Sequence, residues 1–275
     1  MTKYKVVCSD IDGTLLNSNR ELSEATINSV ELLNKRKIPF VLVSARMPKA
    51  MRPLQNTLNS YHPIVSYNGA YIESELKVDG SAVELFSNPI EIEPFLALLK
   101  YIDGTGIHFG TYYKDEWYVN QNDYWTRREQ NNTKINPEVV DMDFMKHHFE
   151  AINCGPHKIM IMGDFDKIEP LESELRHNFG DYVDIYRSKD TYLELNAKAV
   201  SKSTSIDVLS KYFNHPISEF MAFGDNYNDV SMLRKVGYGV AVRNARNEAK
   251  IVAKEITDSN LDNGVAKIID KYFHL

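Results

Sequence analysis

A strand–helix alternation opens this chain, stops near residue 84 and resumes near residue 197. No other feature limits the fold as strongly. Strands separated by helices pair in parallel, with the helices packed on the faces of the sheet. Residues 5–9 centre on Val6-Val7 and read as a buried strand. Ser23 is placed to cap a helix over about 24–36, which puts Ile27, Val30 and Leu33 on one face. Residues 39–43 read as a second buried strand, and a helix follows Pro48, kinked or restarted at Pro53. Residues 64–67 read as a third strand, closed by the turn signal Asn68-Gly69. After the interruption, Ser201 starts a helix through Leu209 and Phe213. Residues 220–223 and 240–242 then read as short strands, and 265–273 as an amphipathic helix. The expectation is an α/β core of residues 1–83 and 197–275, built on a parallel sheet.

The segment 84–196 follows a different pattern, with paired strands and many aromatics, such as 107–113 facing 116–120. It carries a faint internal echo. Ile92-Glu93-Pro94 opens one helical run, and Ile168-Glu169-Pro170 opens another 76 residues later. At the same offset Leu99 matches Leu175, Gly104 matches Gly180, and Asn120 matches Asn196. Both copies read helix, strand, strand. The segment is therefore expected to be an inserted α+β domain with two αββ halves, or one continuous mixed domain.

Composition narrows the partners. Of 275 residues, 43% are hydrophobic and 25% charged, which excludes a largely disordered chain. Lys+Arg number 32 against 38 Asp+Glu, a net −6, so the basic excess of a duplex-tracking nucleic-acid binder is missing. No apolar run approaches the roughly 18 residues of a membrane span. Cys8 and Cys154 form no CxxC pattern, and the start lacks the apolar middle of a signal peptide. A reduced, cytoplasmic protein with no nucleic-acid and no membrane partner is expected. Oligomeric state is left open.

The chemistry concentrates at strand ends. Asp10-Ile11-Asp12-Gly13-Thr14 directly follows the first strand. In extended chain, i and i+2 share a side, so Asp10 and Asp12 are expected to project together where open α/β sheets place ligands. Two adjacent carboxylates both ionise cheaply only when a cation or a positive side chain lies between them. A calcium loop also starts Asp-x-Asp, but it needs glycine at position six, where this chain has Leu15. Gly224-Asp225-Asn226-Tyr227-Asn228-Asp229 ends a second strand. Asp10, Asp12, Asp225 and Asp229 together make an oxygen-rich set suited to Mg²⁺. Ser44, after the second strand, is a hydroxyl donor candidate for a phosphoryl oxygen. Lys202 begins a helix, where a cation is unfavourable unless solvated or offset by an anion. His147, His148, Cys154 and His157 match no usual zinc spacing.

These motifs resemble the haloacid dehalogenase-like superfamily in both type and order: Asp10-x-Asp12-Gly13-Thr14, Ser44, Lys202, and Gly224-Asp225-x-x-Asn228-Asp229. The insertion resembles the type IIB cap of Cof-like hydrolases. Tyr67-Asn68-Gly69-Ala70, Asn244-Ala245 and Asn263-Gly264-Val265-Ala266 extend the match nearly along the whole chain. The chain departs from the family pattern at Ser44-Ala45-Arg46, often Thr-Gly-Arg, at Ser203 after the lysine, and at Arg243 in place of a glycine.

The resemblance implies a Rossmann-like parallel-sheet core with an inserted α+β cap. It also implies a Mg²⁺-dependent phosphatase whose partner is a small-molecule phosphate ester, a sugar phosphate or a phosphorylated cofactor. Asp10 would be the nucleophile and Asp12 the acid and base. The Asp10 carboxylate, the Asp12 backbone carbonyl and Asp225 would hold Mg²⁺, with Asp229 ordering that shell. Ser44, Lys202 and Asn228 would bind the phosphoryl group, and Arg46 and Asn68 are candidate substrate contacts. Arg243 would alter the loop and surface charge near the site. A sugar phosphomutase and a non-catalytic phosphometabolite sensor are the alternatives. Phe109, Tyr112, Tyr113, Trp117, Tyr118, Tyr124 and Trp125 would form a sheet face packed on the cap's own helices, or a stacking surface for a ring-bearing substrate.

Overall fold

The computed structural model describes residues 3–77 and 79–273. The chain forms two compact units. Described residues up to Phe86 and from Ser201 onward make one, and Ser87–Val200 make the other.

The first unit begins with β1 (Val6–Ser9), α1 (Glu24–Lys35), β2 (Phe40–Val43), α2 (Pro48–Leu58), β3 (Ile64–Ser66), β4 (Tyr71–Glu73) and β5 (Glu84–Ser87). The chain then leaves for α3 (Ile92–Ile102), β6 (His108–Tyr113), β7 (Glu116–Val119), α4 (Tyr124–Thr133), β8 (Glu138–Val139), α5 (Met142–Ile152), β9 (Lys158–Met162), α6 (Phe165–Phe179), β10 (Val183–Lys189) and β11 (Tyr192–Ala197). It returns with α7 (Lys202–Phe213), β12 (Phe220–Gly224), α8 (Val230–Lys235), β13 (Tyr238–Ala241), α9 (Asn247–Val252), β14 (Glu255–Ile256) and α10 (Gly264–Phe273).

Eight strands make the first sheet, in the order β14-β13-β12-β1-β2-β3-β4-β5. From β14 to β3 all pairs are parallel. Every residue of β1, β2 and β12 is buried, which explains why these strands read as continuous apolar runs. The central pairings join distant parts of the sequence: Ser9 of β1 lies opposite Leu42 on one side and Phe223 on the other. β4 is antiparallel to β3 because the turn after Ser66 reverses the chain, an element absent from the sequence reading. Ser23 accepts a hydrogen bond from the Thr26 amide at 3.1 Å and so starts α1, as its residue type predicts. Pro48 opens α2, and the helix runs through Pro53 to Leu58 as one element.

In the second unit six strands lie in the order β10-β11-β9-β6-β7-β8, antiparallel except for β7 with β8. One face packs Phe109, Tyr118, Ile159, Ile161, Leu193 and Leu195 onto apolar residues of α3, α5 and α6. The echoed segments are α3-β6-β7 and α6-β10-β11, with α4, β8, α5 and β9 between them. Asn120 and Asn196, the matched pair, each bond a neighbouring strand's backbone. Asn120 accepts from the Phe109 amide at 2.9 Å, and Asn196 donates to the His157 carbonyl at 3.0 Å.

The aromatic segment divides by strand parity. Phe109 and Tyr118 join the helix-covered core. Tyr112 and Trp117 point to the other face and stack on each other at 5.4 Å. Tyr124 is exposed, and Trp125 meets Tyr192 edge-on. Among the described residues no helix is long and apolar enough to cross a membrane.

Candidate active site

The site lies beyond the carboxyl ends of β1 and β12. Pairing continues one residue past β1, where the Asp10 amide donates to the Phe223 carbonyl at 3.0 Å, and this fixes Asp10 at the strand end. Its carboxylate is buried. The Lys202 ammonium, fully buried, donates to Asp10 Oδ1 at 2.5 Å and to Asp229 Oδ1 at 2.6 Å. The lysine that the sequence puts at an unfavourable helix start is thus offset by two carboxylates.

Asp225 and Asp229 come from the loop after β12. A short 3₁₀ turn, Tyr227–Asp229, leads into α8. It brings Asp229 back so that Oδ2 accepts from the Asp225 amide at 2.9 Å and the Asn226 amide at 3.0 Å. Asp229 is therefore an anchor: its two oxygens hold the lysine and the loop. Thr14 donates to Asp225 Oδ1 at 2.9 Å. Gly13 sits at φ +85°, and a Cβ there would fall 2.5 Å from Asp225 Oδ2. Glycine is needed both for that backbone conformation and for the close approach of the two loops. Asn244 donates to the Gly13 carbonyl at 2.7 Å, a support that the sequence reading matched to a motif without giving it a role.

Asp10, Asp225 and Asp229 each present a carboxylate oxygen within 4.8 Å of the others. Such an all-oxygen, multiply negative set fits a hard divalent cation. Burial pushes the Asp10 carboxyl well above the usual range; Lys202 opposes this, and Asp229 and Asp225 add to it. Asp225 is pushed up to about 6, first by burial and then by the Asp229 charge. Burial works against the Lys202 charge, but Asp10 and Asp229 more than offset it, so its pKa is raised and it stays an ammonium. A bound cation would relieve the carboxylates of the repulsion that raises them.

Asp12 does not share the burial of Asp10. Ile11 between them is buried, while Asp12 is exposed at the turn, and its carboxylate pairs with Arg46 through two hydrogen bonds. Burial would raise Asp12, and the Arg46 guanidinium overrides this, holding it below the ordinary carboxylate range. Arg46, a candidate substrate contact, is thus placed on Asp12. Ser44 is buried at the end of β2, and its hydroxyl accepts from the Arg46 amide at 3.2 Å. Asn68 and Asn228, 160 positions apart, meet directly, Asn228 Nδ2 donating to Asn68 Oδ1 at 2.9 Å. Arg243 turns to Asp258, so its charge is paired there. Away from this group, His148 bonds Glu116 at 3.2 Å and His157 bonds Ser87 at 3.0 Å.

Residues 7–269 match the haloacid dehalogenase-like hydrolase family. A Haemophilus influenzae protein named "Putative phosphatase" is 32% identical over 270 residues, which cover 98% of each chain. The 5-amino-6-(5-phospho-D-ribitylamino)uracil phosphatase of Bacillus subtilis is 26% identical over 265 residues, covering 96% of this chain and 94% of that one. The crystal structure of a haloacid dehalogenase-like hydrolase from Bacteroides thetaiotaomicron superposes with a TM-score of 0.86 at 30% identity, covering 98% of this chain and 99% of that one.

Proposed function

Because the chain belongs to the haloacid dehalogenase-like hydrolases, we propose that it is a Mg²⁺-dependent phosphatase. Its substrates are small phosphorylated metabolites, sugar phosphates or phosphorylated cofactors. The observation that carries this reading is the buried Asp10 carboxylate at the end of β1, with one oxygen on Lys202 and Asp225 close by. Lys202 holds that carboxylate in place against the charge of its acidic neighbours. The phosphatase names of the Haemophilus and Bacillus relatives support the reaction, and the Bacillus enzyme's phosphorylated substrate supports the metabolite class.

Asp10 attacks phosphorus through a carboxylate oxygen, forms an aspartyl-phosphate and breaks the ester P–O bond. Asp12 gives its proton to the departing oxygen, which leaves as an alcohol. It then takes a proton from the water that cleaves the aspartyl-phosphate, releasing phosphate and restoring both carboxyl groups. Asp12 must first free one carboxylate oxygen from Arg46 and take up a proton from solvent, while Arg46 keeps the other oxygen and orients it. Lys202, Ser44 and Asn228 hold the phosphoryl oxygens, where positioning and charge neutralisation do most of the catalytic work. The Asp10 and Asp225 carboxylates and the Asp12 backbone carbonyl would hold Mg²⁺, with Asp229 ordering them. Bound Mg²⁺ supplies positive charge against the repulsion between a carboxylate nucleophile and a phosphate dianion.

Phosphate release from a panel of sugar phosphates, nucleotides and phosphorylated cofactors, with Mg²⁺ and with EDTA, tests the reading. Release in Mg²⁺ that stops in EDTA is the expected result. No release from any ester, or release that EDTA leaves intact, rejects it.

A further inference from the structure

Three consecutive residues, Tyr67, Asn68 and Gly69, adopt left-handed backbone at φ 52°, 57° and 101°. Two of them carry side chains, and Tyr67 is fully buried. L-residues with side chains avoid this region, and such strain persists only where the surroundings impose it. Here the surroundings are the phosphate-side residues of the same unit. The Asn68 amide donates to the Ser44 carbonyl at 2.9 Å, and the Tyr67 amide to the Arg46 carbonyl at 3.2 Å. The Asn68 side chain accepts from Asn228 at 2.9 Å. A Cβ on Gly69 would lie 2.5 Å from the carbonyl oxygen of Ser201, the residue before Lys202. One turn therefore touches the chain at Ser44, at Asn228 and at the root of Lys202.

We infer that this left-handed turn sets the relative positions of Ser44, Lys202 and Asn228, and that Asn68 is a positioning residue acting through Asn228. The inference rests on the phosphatase reading, in which those three groups hold the phosphoryl oxygens. Asn68 Oδ1 takes one Asn228 amide hydrogen, which fixes the plane of that amide and leaves the other N–H to point at an oxygen. Three donors drawn from separate loops gain little from being near a phosphate unless their mutual geometry is held. A short turn bonded to two of these segments and packed against the third holds it. Gly69 lets the turn sit flush on the start of α7.

A double-mutant cycle tests this. Asn68→Gly keeps the left-handed backbone and removes the side-chain acceptor, and it is combined with Asn228→Ala. The readouts are kcat and KM for p-nitrophenyl phosphate in Mg²⁺, inhibition by orthovanadate, and the melting temperature. Each single variant is expected to weaken orthovanadate inhibition roughly tenfold, and the double variant no further than Asn228→Ala alone. Gly69→Ala is expected to weaken orthovanadate binding as well, through a displaced Lys202. Losses that multiply in the double variant overturn the inference, because Asn68 then acts without Asn228. Wild-type kinetics in Asn68→Gly overturn it too. Absence of wild-type turnover on any ester rejects the phosphatase reading and this inference with it, whereas multiplying losses in an active enzyme reject the inference alone.

Discussion

The Arg46 guanidinium forks onto the Asp12 carboxylate, Nε to Oδ2 at 2.7 Å and Nη2 to Oδ1 at 2.6 Å. A bidentate pair of this kind fixes the carboxylate's plane as well as its charge. If Asp12 carries the proton in both half-reactions, Arg46→Ala removes the group that orients it. The expected result is a fall in kcat of roughly tenfold or more with little change in KM, and partial recovery in Arg46→Lys. A rise in KM at unchanged kcat would instead assign Arg46 to substrate binding.

Lys202 is sealed between Asp10 and Asp229. Lys202→Met leaves two buried carboxylates facing each other with no cation. Breaking a buried pair in this way costs about 3–5 kcal/mol, so the melting temperature in EDTA is expected to drop sharply and turnover to vanish. Asp10→Asn is expected to abolish turnover while the far-ultraviolet circular dichroism stays native. An active Asp10→Asn variant would sink the nucleophile assignment.

The proposed Mg²⁺ site has a readout that needs no substrate. A ligand at about a hundredfold its Kd adds about 2.7 kcal/mol to stability, so the melting temperature is expected to rise by several degrees in Mg²⁺. Asp225→Asn is expected to remove that rise. Gly13→Ala is expected to shrink it, since the added methyl displaces Asp225. An undiminished Mg²⁺ shift in Asp225→Asn would take Asp225 out of the metal site.

In the second unit, His157 supplies a pH dependence. Its buried ring accepts from the Lys114 amide at 3.3 Å and bonds the Ser87 hydroxyl at 3.0 Å. Burial, helped by the Lys114 charge, lowers its pKa to about 3. The unfolded chain therefore binds a proton near pH 6.5 that the folded ring refuses. The stabilising contribution is full above that pH and shrinks as pH falls towards 3. Between pH 7 and 5 the loss is about 2 kcal/mol. Urea unfolding at both pH values measures it, and His157→Gln is expected to flatten the difference.

The sequence was most legible where chemistry and local geometry coincide. Asp10, Gly13, Asp225 and Asp229 announce themselves because carboxylates and a glycine follow buried apolar strands. Ser23 marks α1 because an N-cap is a local device. What stayed hidden depends on long-range pairing. Nothing near Asn68 points to Asn228, and nothing in the Asp10-x-Asp12 spacing reveals that Arg46 takes Asp12 out of the buried group. α4 escaped for a different reason. Its sequence, Tyr124–Thr133, is almost wholly polar after Trp125, so it carries no apolar period. Similarly, β4 follows from the reversal at Tyr67–Gly69, whose conformation a residue pattern signals only through Asn68-Gly69.

The position of β1 in its sheet has a consequence for how the protein is made. One neighbour, β2, emerges from the ribosome within about forty residues, but the other, β12, begins at Phe220. At roughly 5–20 residues per second of synthesis, one side of β1 waits about 10–40 s for its partner. During that wait an apolar strand offers a row of unpaired amides and carbonyls to any other nascent chain. The second unit, whose strands all lie within Ser87–Val200, is complete before β12 exists. Synthesis therefore passes through a stage in which every strand of the later-made unit exists while the earlier-made strands of the parallel sheet still lack β12.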